Sequence, residues 1–416
     1  MTKSRINENK YTDIYEPAED SYLLQKYVKE HAEGRVLDIG TGSGIQAITA
    51  TENKNVKEVL AVDINPKAVK QLKENSKLNK KLKVKESDLF ENVEGQYNLI
   101  IFNPPYLPED KGIEDMALYG GKKGWEISER FFADVSKHLI SNGKILFLFS
   151  SLTDKDKIEQ LTGQNLLQFK LLGTEKLSFE TLYVYLIEKS DLLKRLSSKG
   201  IENIHYFTHG KRGDIYTGFI DQSKLVKTHL AKKEIVKVAI KIKRKESKAT
   251  NRIKNEAHWL SILNKSNNIG PQLLFYDSQT EEQFLVYRFV EGEFILDWLS
   301  NNPIATIDNI RMVLANLLEQ CFEMDQLKVD KEEMHHPQKH VLITDNAQPI
   351  LLDFERCNLT DTPKNVTQCI EFICRLKEEL HKKKLKININ QLRELAKEYK
   401  KEQNQDNFNK IITKIS

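Results

Sequence analysis

The chain has 416 residues, enough for two or three domains, and its 39% hydrophobic and 30% charged residues are typical of a soluble globular protein. A net charge of +4 is too small to indicate nucleic-acid binding by itself, and the lysines between 227 and 248 are the only local exception. The four cysteines form no Cys-x-x-Cys pair, which predicts neither a zinc site nor a disulfide framework. Without a long apolar run or an apolar N-terminus, the sequence predicts a cytoplasmic protein with no membrane span or secretory signal.

The first half begins with a polar segment that leads into a predicted helix. Within residues 11–31, the segment 16–21 reads Glu-Pro-Ala-Glu-Asp-Ser. Pro17 suits a first helical turn, and Asp20 suits the positive end of the helix dipole. The alternative is a flap over a bound ligand, with Ser21 facing that ligand. Taken alone, this segment favours the structural interpretation.

A glycine-rich turn follows the first predicted strand. Asp38 ends that strand, the turn contains Gly40, Gly42 and Gly44, and a helix is predicted from Ile45. Glycines allow the backbone to approach a ligand closely. The spacing is G-x-G-x-G, which differs from that of dinucleotide enzymes, and a carboxylate at Asp38 suits a cationic amino-acid moiety better than a pyrophosphate. The pattern therefore favours S-adenosylmethionine over NAD.

Two further predicted strands end in acidic residues. The strand 59–62 leads to Asp63, and a strand near Val84 leads to the pair Asp88-Leu89. We expect Asp63 to accept hydrogen bonds from ribose hydroxyls. Asp88 is placed to accept from an adenine amino group while Leu89 packs on the ring. A single strand-end aspartate is usually a turn former, but a series spaced like βαβ units is hard to explain by turns alone.

The tetrad Asn103-Pro104-Pro105-Tyr106 follows an apolar run, 97–102, where a buried parallel strand is predicted to end. The two prolines fix the backbone, so that the carbonyl oxygens and the Asn103 amide point in set directions. A planar –NH2 group could donate to Asn103 and to the Pro104 carbonyl while Tyr106 stacks on it. An ordinary proline turn explains the tetrad about as well when it is considered alone.

Together these segments resemble the HemK-type glutamine methyltransferases, and the segment 16–21 is most similar to the branch that methylates eukaryotic and archaeal peptide release factors. The resemblance covers about residues 1–190. It implies an α/β, Rossmann-like, seven-stranded methyltransferase sheet, in which runs at 144–149 and 181–187 supply later strands. It also implies cofactor contacts at Ser21, Asp38, Gly40, Gly42, Asp63, Asp88, Leu89 and Asn103. The implied catalytic residues, which orient the acceptor amide, are Asn103, Pro104 and Tyr106.

The same resemblance implies two partners and leaves one alternative open. The partners are a release factor as protein substrate and a small zinc-ribbon activator that covers an exposed apolar sheet edge. The turn from Gly120 to Gly124 is similar to the glycine-rich stretch that follows the tetrad in this family. The tetrad alone also occurs in adenine-N6 and other amino-methyltransferases, so an adenine or RNA acceptor stays open as the alternative. The composition disfavours a large nucleic-acid surface.

The second half, residues 191–416, begins at a predicted boundary near residue 190. A hairpin at 208–216 has basic residues between two glycines, which fits a phosphate-covering loop or an ordinary hairpin equally well. The strand 237–242 contains the sequence Val-Ala-Ile-Lys, and a helix over 251–263 is predicted to follow. Taken alone, the lysine of that strand reads as a surface residue.

Three residues in kinase order make residues 200–375 resemble the small atypical protein kinases of the Rio-like group. They are Lys241, Glu256 and Asp353. This resemblance implies an α+β, two-lobed, kinase-like domain that binds ATP through all three residues and Mg2+ at Asp353.

The usual catalytic aspartate is missing from that half. His340 replaces the metal-binding asparagine, and Glu333 or His335 is the available proton acceptor. ATP binding is therefore better supported than phosphoryl transfer, and a regulatory scaffold with an inactive kinase-like half stays open. The tail from about Lys377 is predicted to form solvated helices.

Overall fold

The computed structural model describes residues 14–77, 79–108, 119–209, 213–224, 234–243, 251–332, 334 and 337–415. The chain divides into two compact units, Met1–His205 and Tyr206–Ser416. Among the described residues, every helix is too short or too polar to cross a bilayer. Glu333, His335 and the tip of the predicted hairpin, residues 210–212, lie outside the described residues.

The first unit is built on a mixed seven-stranded sheet in the order β3-β2-β1-β4-β5-β7-β6. Its strands are β1 (Gly34–Ile39), β2 (Val56–Asp63), β3 (Leu82–Glu86), β4 (Tyr97–Phe102), β5 (Leu139–Ser150), β6 (Leu167–Lys176) and β7 (Thr181–Lys189). Its helices are α1 (Glu19–His31), α2 (Ile45–Glu52), α3 (Pro66–Asn75), α4 (Glu126–Val135), α5 (Lys155–Gln164) and α6 (Asp191–Ser198). The predicted seven-stranded α/β sheet is confirmed.

The parallel strands β1 to β4 end together at one edge of this sheet. β1 pairs in parallel with both β2 and β4, and β2 pairs in parallel with β3. The central strands β1 and β4 are buried on both faces, as expected for a parallel sheet covered by helices, whereas the edge strand β3 is mostly exposed. The turns after the four strands therefore lie side by side, which is where open α/β sheets bind their ligands.

Two details of the first unit differ from the sequence-based expectations. Helix α1 begins at Glu19, so Pro17 lies before its first turn. The strand β6 was not predicted, because an edge strand exposes one side and its sequence has no continuous apolar run.

A five-stranded sheet in the order β11-β12-β10-β9-β8 follows, in which the neighbouring strands from β9 to β12 pair antiparallel. These strands are β8 (Ile201–His209), β9 (Gly213–Asp221), β10 (Ile235–Lys243), β11 (Leu273–Asp277) and β12 (Phe284–Arg288), with α7 (Arg252–Asn267) inserted after β10. The last strand of the first sheet ends at Lys189, and the first strand of the second sheet begins at Ile201. The two compact units divide between His205 and Tyr206, inside β8, which lies after the predicted boundary near residue 190.

A helical part follows, with short strands between its helices. The helices are α8 (Ile295–Asn301), α9 (Ile307–Gln326), α10 (Asn365–Arg375), α11 (Lys377–Lys382), α12 (Ile389–Lys401) and α13 (Gln405–Ile412). The short strands are β13 (Glu293–Phe294), β14 (Val329–Asp330), β15 (Val341–Ile343), β16 (Pro349–Leu351) and β17 (Asn358–Leu359).

The tail is helical as predicted, but the prediction that its helices are solvated is wrong. Helices α11 to α13 each turn an apolar face into the core of the second unit, through Leu380, Leu392, Tyr399, Phe408 and Ile411. The phenol of Tyr399 also donates to the buried carboxylate of Asp325 at 3.1 Å. Leucines and isoleucines at helical spacing therefore indicated a packed face, although lysines and glutamates dominate the composition.

Candidate functional site

The glycine turn after β1 is held by the carboxylate that ends β2. Gly40 and Gly42 have φ angles of +61° and +52°, a backbone conformation that residues other than glycine rarely adopt. The Gly42 N–H donates to Asp63 Oδ2 at 2.8 Å, and the Asn65 N–H donates to Asp63 Oδ1 at 2.8 Å. Asp63 is buried, and burial raises its pKa. Asp63 thus anchors the turn in addition to its predicted role as a ribose ligand.

The turn has the features of a cradle for the predicted cofactor. A Cβ added at Gly42 would make an ordinary van der Waals contact with Tyr15, at 3.8 Å from its carbonyl oxygen, so the segment before α1 passes close to the turn. Two buried carboxylates, Asp38 and Asp63, stand within two neighbouring strands. Carboxylates suit a cationic amino-acid moiety and ribose hydroxyls, and the residues present therefore fit S-adenosylmethionine.

Asp38 lies beneath the turn in a fully buried position. Its Oδ2 accepts from the Thr41 hydroxyl at 2.6 Å and from the Ala47 N–H at 3.1 Å. Burial raises the pKa of Asp38 to about 7, against the opposite effect of these two hydrogen bonds. The ligand-free protein therefore holds a proton on Asp38 over a pH range in which the unfolded chain does not.

This raised pKa predicts pH-dependent binding of S-adenosylmethionine. A cationic ligand favours the ionised carboxylate, so affinity should rise with pH up to about 7 and fall by up to about tenfold per pH unit below it. In the ligand-free protein the sign is opposite, because the stabilising contribution of Asp38 is present at acid pH and is lost as the pH rises through about 7. Calorimetry from about pH 5.5 to 7.5, in buffers of different ionisation enthalpy, measures the proton released. Asp38→Asn should remove this proton linkage, and an unchanged linkage in that variant would contradict the assignment.

The side-chain amide of Asn103 is oriented by Asp20, a residue that the sequence interpretation gave only to the helix end. Asn103 Nδ2 donates to Asp20 Oδ2 at 2.6 Å. Asp20 Oδ1 accepts from the phenol of Tyr15 at 2.9 Å and from the Ser21 hydroxyl at 3.4 Å. The remaining polar atom of the amide, Asn103 Oδ1, is buried without a hydrogen-bond partner among the described residues. A buried acceptor without a donor is costly, and it marks a place where a ligand N–H would bind.

The backbone of the tetrad is fixed by the turn that follows it and by one threonine. The Thr153 hydroxyl donates to the carbonyl of Tyr106 at 2.9 Å. A Cβ added at Gly120 would lie 2.4 Å from the Pro105 carbonyl oxygen, and one at Gly124 would lie 2.5 Å from that of Tyr106. The two glycines therefore allow a close approach that no other residue permits, which gives a physical reason for the glycine-rich stretch.

We expect Gly120→Ala to reduce methyl transfer by about a hundredfold, because the new methyl group displaces the tetrad backbone by a fraction of an ångström or more. Affinity for S-adenosylmethionine should change little, since the glycine turn after β1 is untouched. Gly163→Ala is the matched control, because a Cβ at this helical position meets nothing within 4 Å. Single-turnover methylation compares the two variants, and equal rates would show that the close approach at Gly120 has no catalytic consequence.

The other predicted contact residues lie around the same sheet edge. Asp88 forms an ion pair with Arg130 at 2.8 Å, so part of its carboxylate is already engaged. Leu89 has a φ angle of +46°, which bends the chain after β3. Ser21 is buried, and its carbonyl accepts from the amide of Gln46 at 2.8 Å. The structure thus places Ser21, Asp88 and Leu89 near the ends of neighbouring elements, and their contacts with a cofactor stay predictions.

A second cluster of charges lies in the second unit. Lys241 Nζ is 2.6 Å from Glu256 Oε2, 3.4 Å from Glu355 Oε2 and 3.6 Å from Asp353 Oδ1. His340 Nδ1 is 3.8 Å from Asp353 Oδ2. The three residues predicted to bind ATP therefore meet, and the oxygens of Glu256, Asp353 and Glu355 lie within 4.8 Å of one another, close enough to hold a metal ion.

The surroundings favour the charged forms of Lys241 and Asp353, whereas burial raises the pKa of Glu256 and favours its neutral form. Burial disfavours the ammonium of Lys241, but the surrounding carboxylates outweigh burial and raise its pKa. Burial likewise works against the ionised form of Asp353, and Lys241, Lys331 and His340 reverse the effect and lower its pKa. Asp353 has a φ angle of +63°, a strained conformation for this residue type. The sequence interpretation missed Glu355, although it stands only two residues after Asp353.

Comparison with known proteins gives the family of the chain. A family model described as the methyltransferase small domain matches residues 18–169. A protein of Methanocaldococcus jannaschii, named a putative protein N5-glutamine methyltransferase, is 43% identical over 181 residues, which are 42% of this chain and 91% of that protein. The chain belongs to the protein N5-glutamine methyltransferase family.

Two further comparisons describe other members and neighbours of this family. A release factor glutamine methyltransferase of Deinococcus radiodurans is 34% identical over 135 residues, 30% of this chain and 49% of that enzyme. The chain therefore spans about half the length of that relative. A solved structure of an E. cuniculi Mtq2-Trm112 complex, described as responsible for methylation of the eRF1 translation termination factor, has 25% identity and a TM-score of 0.36, and the match covers 43% of this chain and 100% of that chain.

Membership of this family establishes the enzymatic activity of the chain. It is an S-adenosylmethionine-dependent protein-(glutamine-N5) methyltransferase, as the resemblance predicted. The matched segment, residues 18–169, contains the glycine turn, Asp38, Asp63 and the tetrad.

Proposed function

We propose that this enzyme methylates the side-chain amide nitrogen of a glutamine in a peptide chain release factor. One observation supports an acceptor with a planar –NH2 group: the buried Asn103 Oδ1 lacks a donor among the described residues. Membership of the glutamine methyltransferase family favours a glutamine amide over an adenine amino group as that acceptor. A glutamine –NH2 group supplies such a donor at the edge of the sheet where the cofactor turn lies. The name of the Deinococcus radiodurans relative supports a release factor as the protein that presents the glutamine.

The residues of the tetrad bind and orient the acceptor amide. One N–H of the glutamine donates to Asn103 Oδ1 and the other to the Pro104 carbonyl, which turns the face of the nitrogen toward the cofactor. S-adenosylmethionine, when bound, supplies an already activated methyl group. Positive charge develops on the amide nitrogen as it is methylated, and both oxygens stabilise that charge. The nitrogen–methyl bond would form as the methyl–sulfur bond of the cofactor breaks, and the nitrogen would release one of its two protons to water. Tyr106 packs on the amide plane.

Offering several acceptors side by side tests the proposal. The full chain with labelled S-adenosylmethionine should transfer label to a release factor and leave ribosomal RNA and DNA unlabelled. Label on RNA or DNA alone would favour the adenine or RNA amino-methyltransferase alternative, which shares the tetrad chemistry. Label on no release factor would contradict the proposed substrate while leaving the family assignment intact.

We further propose that a small zinc-ribbon activator binds an apolar edge of the sheet in the first unit. The edge strand β6 exposes the apolar side chains of Phe169 and Leu171 on either side of Lys170, whereas the exposed residues of the opposite edge strand β3 are all charged: Lys83, Lys85 and Glu86. Because only β6 exposes large apolar side chains for a partner to cover, β6 is the more suitable docking edge. Leu171→Glu in the full chain should weaken the association with a zinc-ribbon protein, and Lys83→Glu on the other edge is the control. Equal association of both variants would contradict the choice of β6.

For the second unit we propose a kinase-like domain that binds Mg-ATP through Lys241, Glu256 and Asp353. A lysine on a strand, a glutamate on the following helix and an aspartate at a later strand end form a suitable set for phosphates and a metal ion. Three carboxylates around one ammonium leave an excess of negative charge, which Mg2+ would offset. We expect phosphorylation to be slow or restricted to few substrates, since the sequence lacks the usual catalytic aspartate.

A further inference from the structure

We propose that Asp20 is a positioning residue for the methyl transfer, because its carboxylate sets the orientation of the Asn103 amide and so presents Oδ1 to the acceptor glutamine. This inference rests on the glutamine methyltransferase activity and extends it to a residue outside the tetrad. Asp20 lies in the first turn of α1, 83 positions before Asn103 in the sequence.

The chemistry of the two side chains allows only one orientation. A carboxylate accepts hydrogen bonds and does not donate them, whereas the amide of Asn103 has a donating NH2 end and an accepting oxygen. With Asp20 Oδ2 at 2.6 Å, the NH2 end must face Asp20 and the oxygen must face away from it. If the amide were flipped, two oxygens would meet at that distance. Asp20 therefore selects the orientation in which Oδ1 is available to the acceptor.

The burial of Asp20 argues against a role limited to the helix end. Glu19 stands in the same first turn and is exposed, and it can satisfy the positive end of α1 from the solvent. Asp20 is only 4% exposed, and burying a carboxylate is costly unless several donors compensate for it. Its donors are Asn103 Nδ2 and the Tyr15 hydroxyl, with Ser21 at a longer distance. The buried carboxylate of Asp20 thus joins three segments: the chain before α1, helix α1 itself and the turn after β4.

Tyr15 links the hydrogen bond between Asp20 and Asn103 to the glycine turn after β1. A Cβ added at Gly42 would lie 3.8 Å from the Tyr15 carbonyl oxygen and 3.9 Å from its Cβ, so the segment before α1 passes close to the glycine turn. The phenol of the same residue donates to Asp20 Oδ1. The carboxylate of Asp20 therefore contacts both Tyr15, which lies close to the glycine turn, and Asn103. One side chain thus fixes the segment before α1 and the orientation of the Asn103 amide. Asp20 also places a negative charge one hydrogen bond away from the group that contacts the acceptor nitrogen, where positive charge develops.

The side-chain amide signal of Asn103 gives a direct test that needs no substrate. In the full chain labelled with 15N-asparagine, the Asn103 signal is the one that disappears in Asn103→Ala. We expect its NH2 protons to shift markedly in Asp20→Ala and Asp20→Asn, to shift less in Tyr15→Phe, and to stay in place in Glu19→Gln. Signals that are identical in wild type and in both Asp20 variants would overturn the proposal.

Kinetics supply the second readout. With a release factor as acceptor, Asp20→Asn should lower kcat by at least about tenfold while the affinity for S-adenosylmethionine changes little, because the residue acts on the acceptor side. Glu19→Gln should behave as wild type. An unchanged kcat in Asp20→Asn would contradict the positioning role. If the wild type methylates no release factor, the proposed substrate is wrong, and the Asn103 amide signal still decides the role of Asp20. Tyr15→Phe, which deletes one hydroxyl, replaces the Asp20 variants if they do not fold.

Discussion

Asn103→Ala should lose methyl transfer by about a hundredfold to a thousandfold while binding S-adenosylmethionine nearly as well as the wild type. The variant removes Oδ1, the buried acceptor that has no donor among the described residues, and with it the atom that orients the glutamine nitrogen. It also leaves the carboxylate of Asp20 without the Nδ2 donor at 2.6 Å, so a moderate loss of stability is expected as well. Single-turnover rates with saturating cofactor separate the loss of transfer from the loss of binding.

Asn92→Ala is a suitable control for that variant, because Asn92 is an exposed asparagine of the same unit. It should retain the wild-type rate. A wild-type rate in Asn103→Ala would mean that the tetrad side chain does not orient the acceptor, and the proposed roles of both Asn103 and Asp20 would then be wrong.

Asp353→Ala should remove most Mg-dependent ATP binding, with a loss of affinity of at least about tenfold. Asp353 is the carboxylate whose pKa Lys241, Lys331 and His340 lower against the effect of burial, so it is ionised and available to a metal ion. Removing it should leave the fold intact, because Glu256 and Glu355 remain as partners of Lys241. Titration of the full chain with labelled ATP, with and without Mg2+, measures the effect.

Asp345→Ala is the matched control, since Asp345 is exposed in the turn between β15 and β16. It should bind ATP as the wild type does. Absence of binding in the wild type, or equal binding by wild type and Asp353→Ala, would refute the nucleotide site and leave the second unit with a charge cluster of another purpose.

Local pattern accounts for the parts of the first unit that could be predicted. The glycine turn and the strand-end residues Asp63 and Asn103 could be predicted because each belongs to a local succession of strand and turn. Such a succession is visible in one short stretch of sequence. The role of Asp20 could not be predicted in this way. Its partner Asn103 is 83 positions away, and an acid in a first helical turn already has a sufficient local explanation.

In the second unit, too, the sequence predicted only part of the charge cluster. The order of Lys241, Glu256 and Asp353 indicated a shared site, and the structure brings the three side chains together. Glu355 joins them at 3.4 Å from Lys241 Nζ, and the kinase-order pattern in the sequence includes no residue at this position. The tail was misjudged for a related reason: Tyr399 and Phe408 find their core positions only when α12 and α13 fold back on α9.

The most direct test of the proposed function locates the transferred methyl group on the acceptor. A release factor incubated with the full chain and methyl-deuterated S-adenosylmethionine is digested and sequenced by tandem mass spectrometry. We predict a single labelled methyl group on the side-chain nitrogen of one glutamine, and no label when the Asn103→Ala variant replaces the wild type. A labelled methyl group on any other side chain, or equal labelling by wild type and Asn103→Ala, would contradict the proposed function.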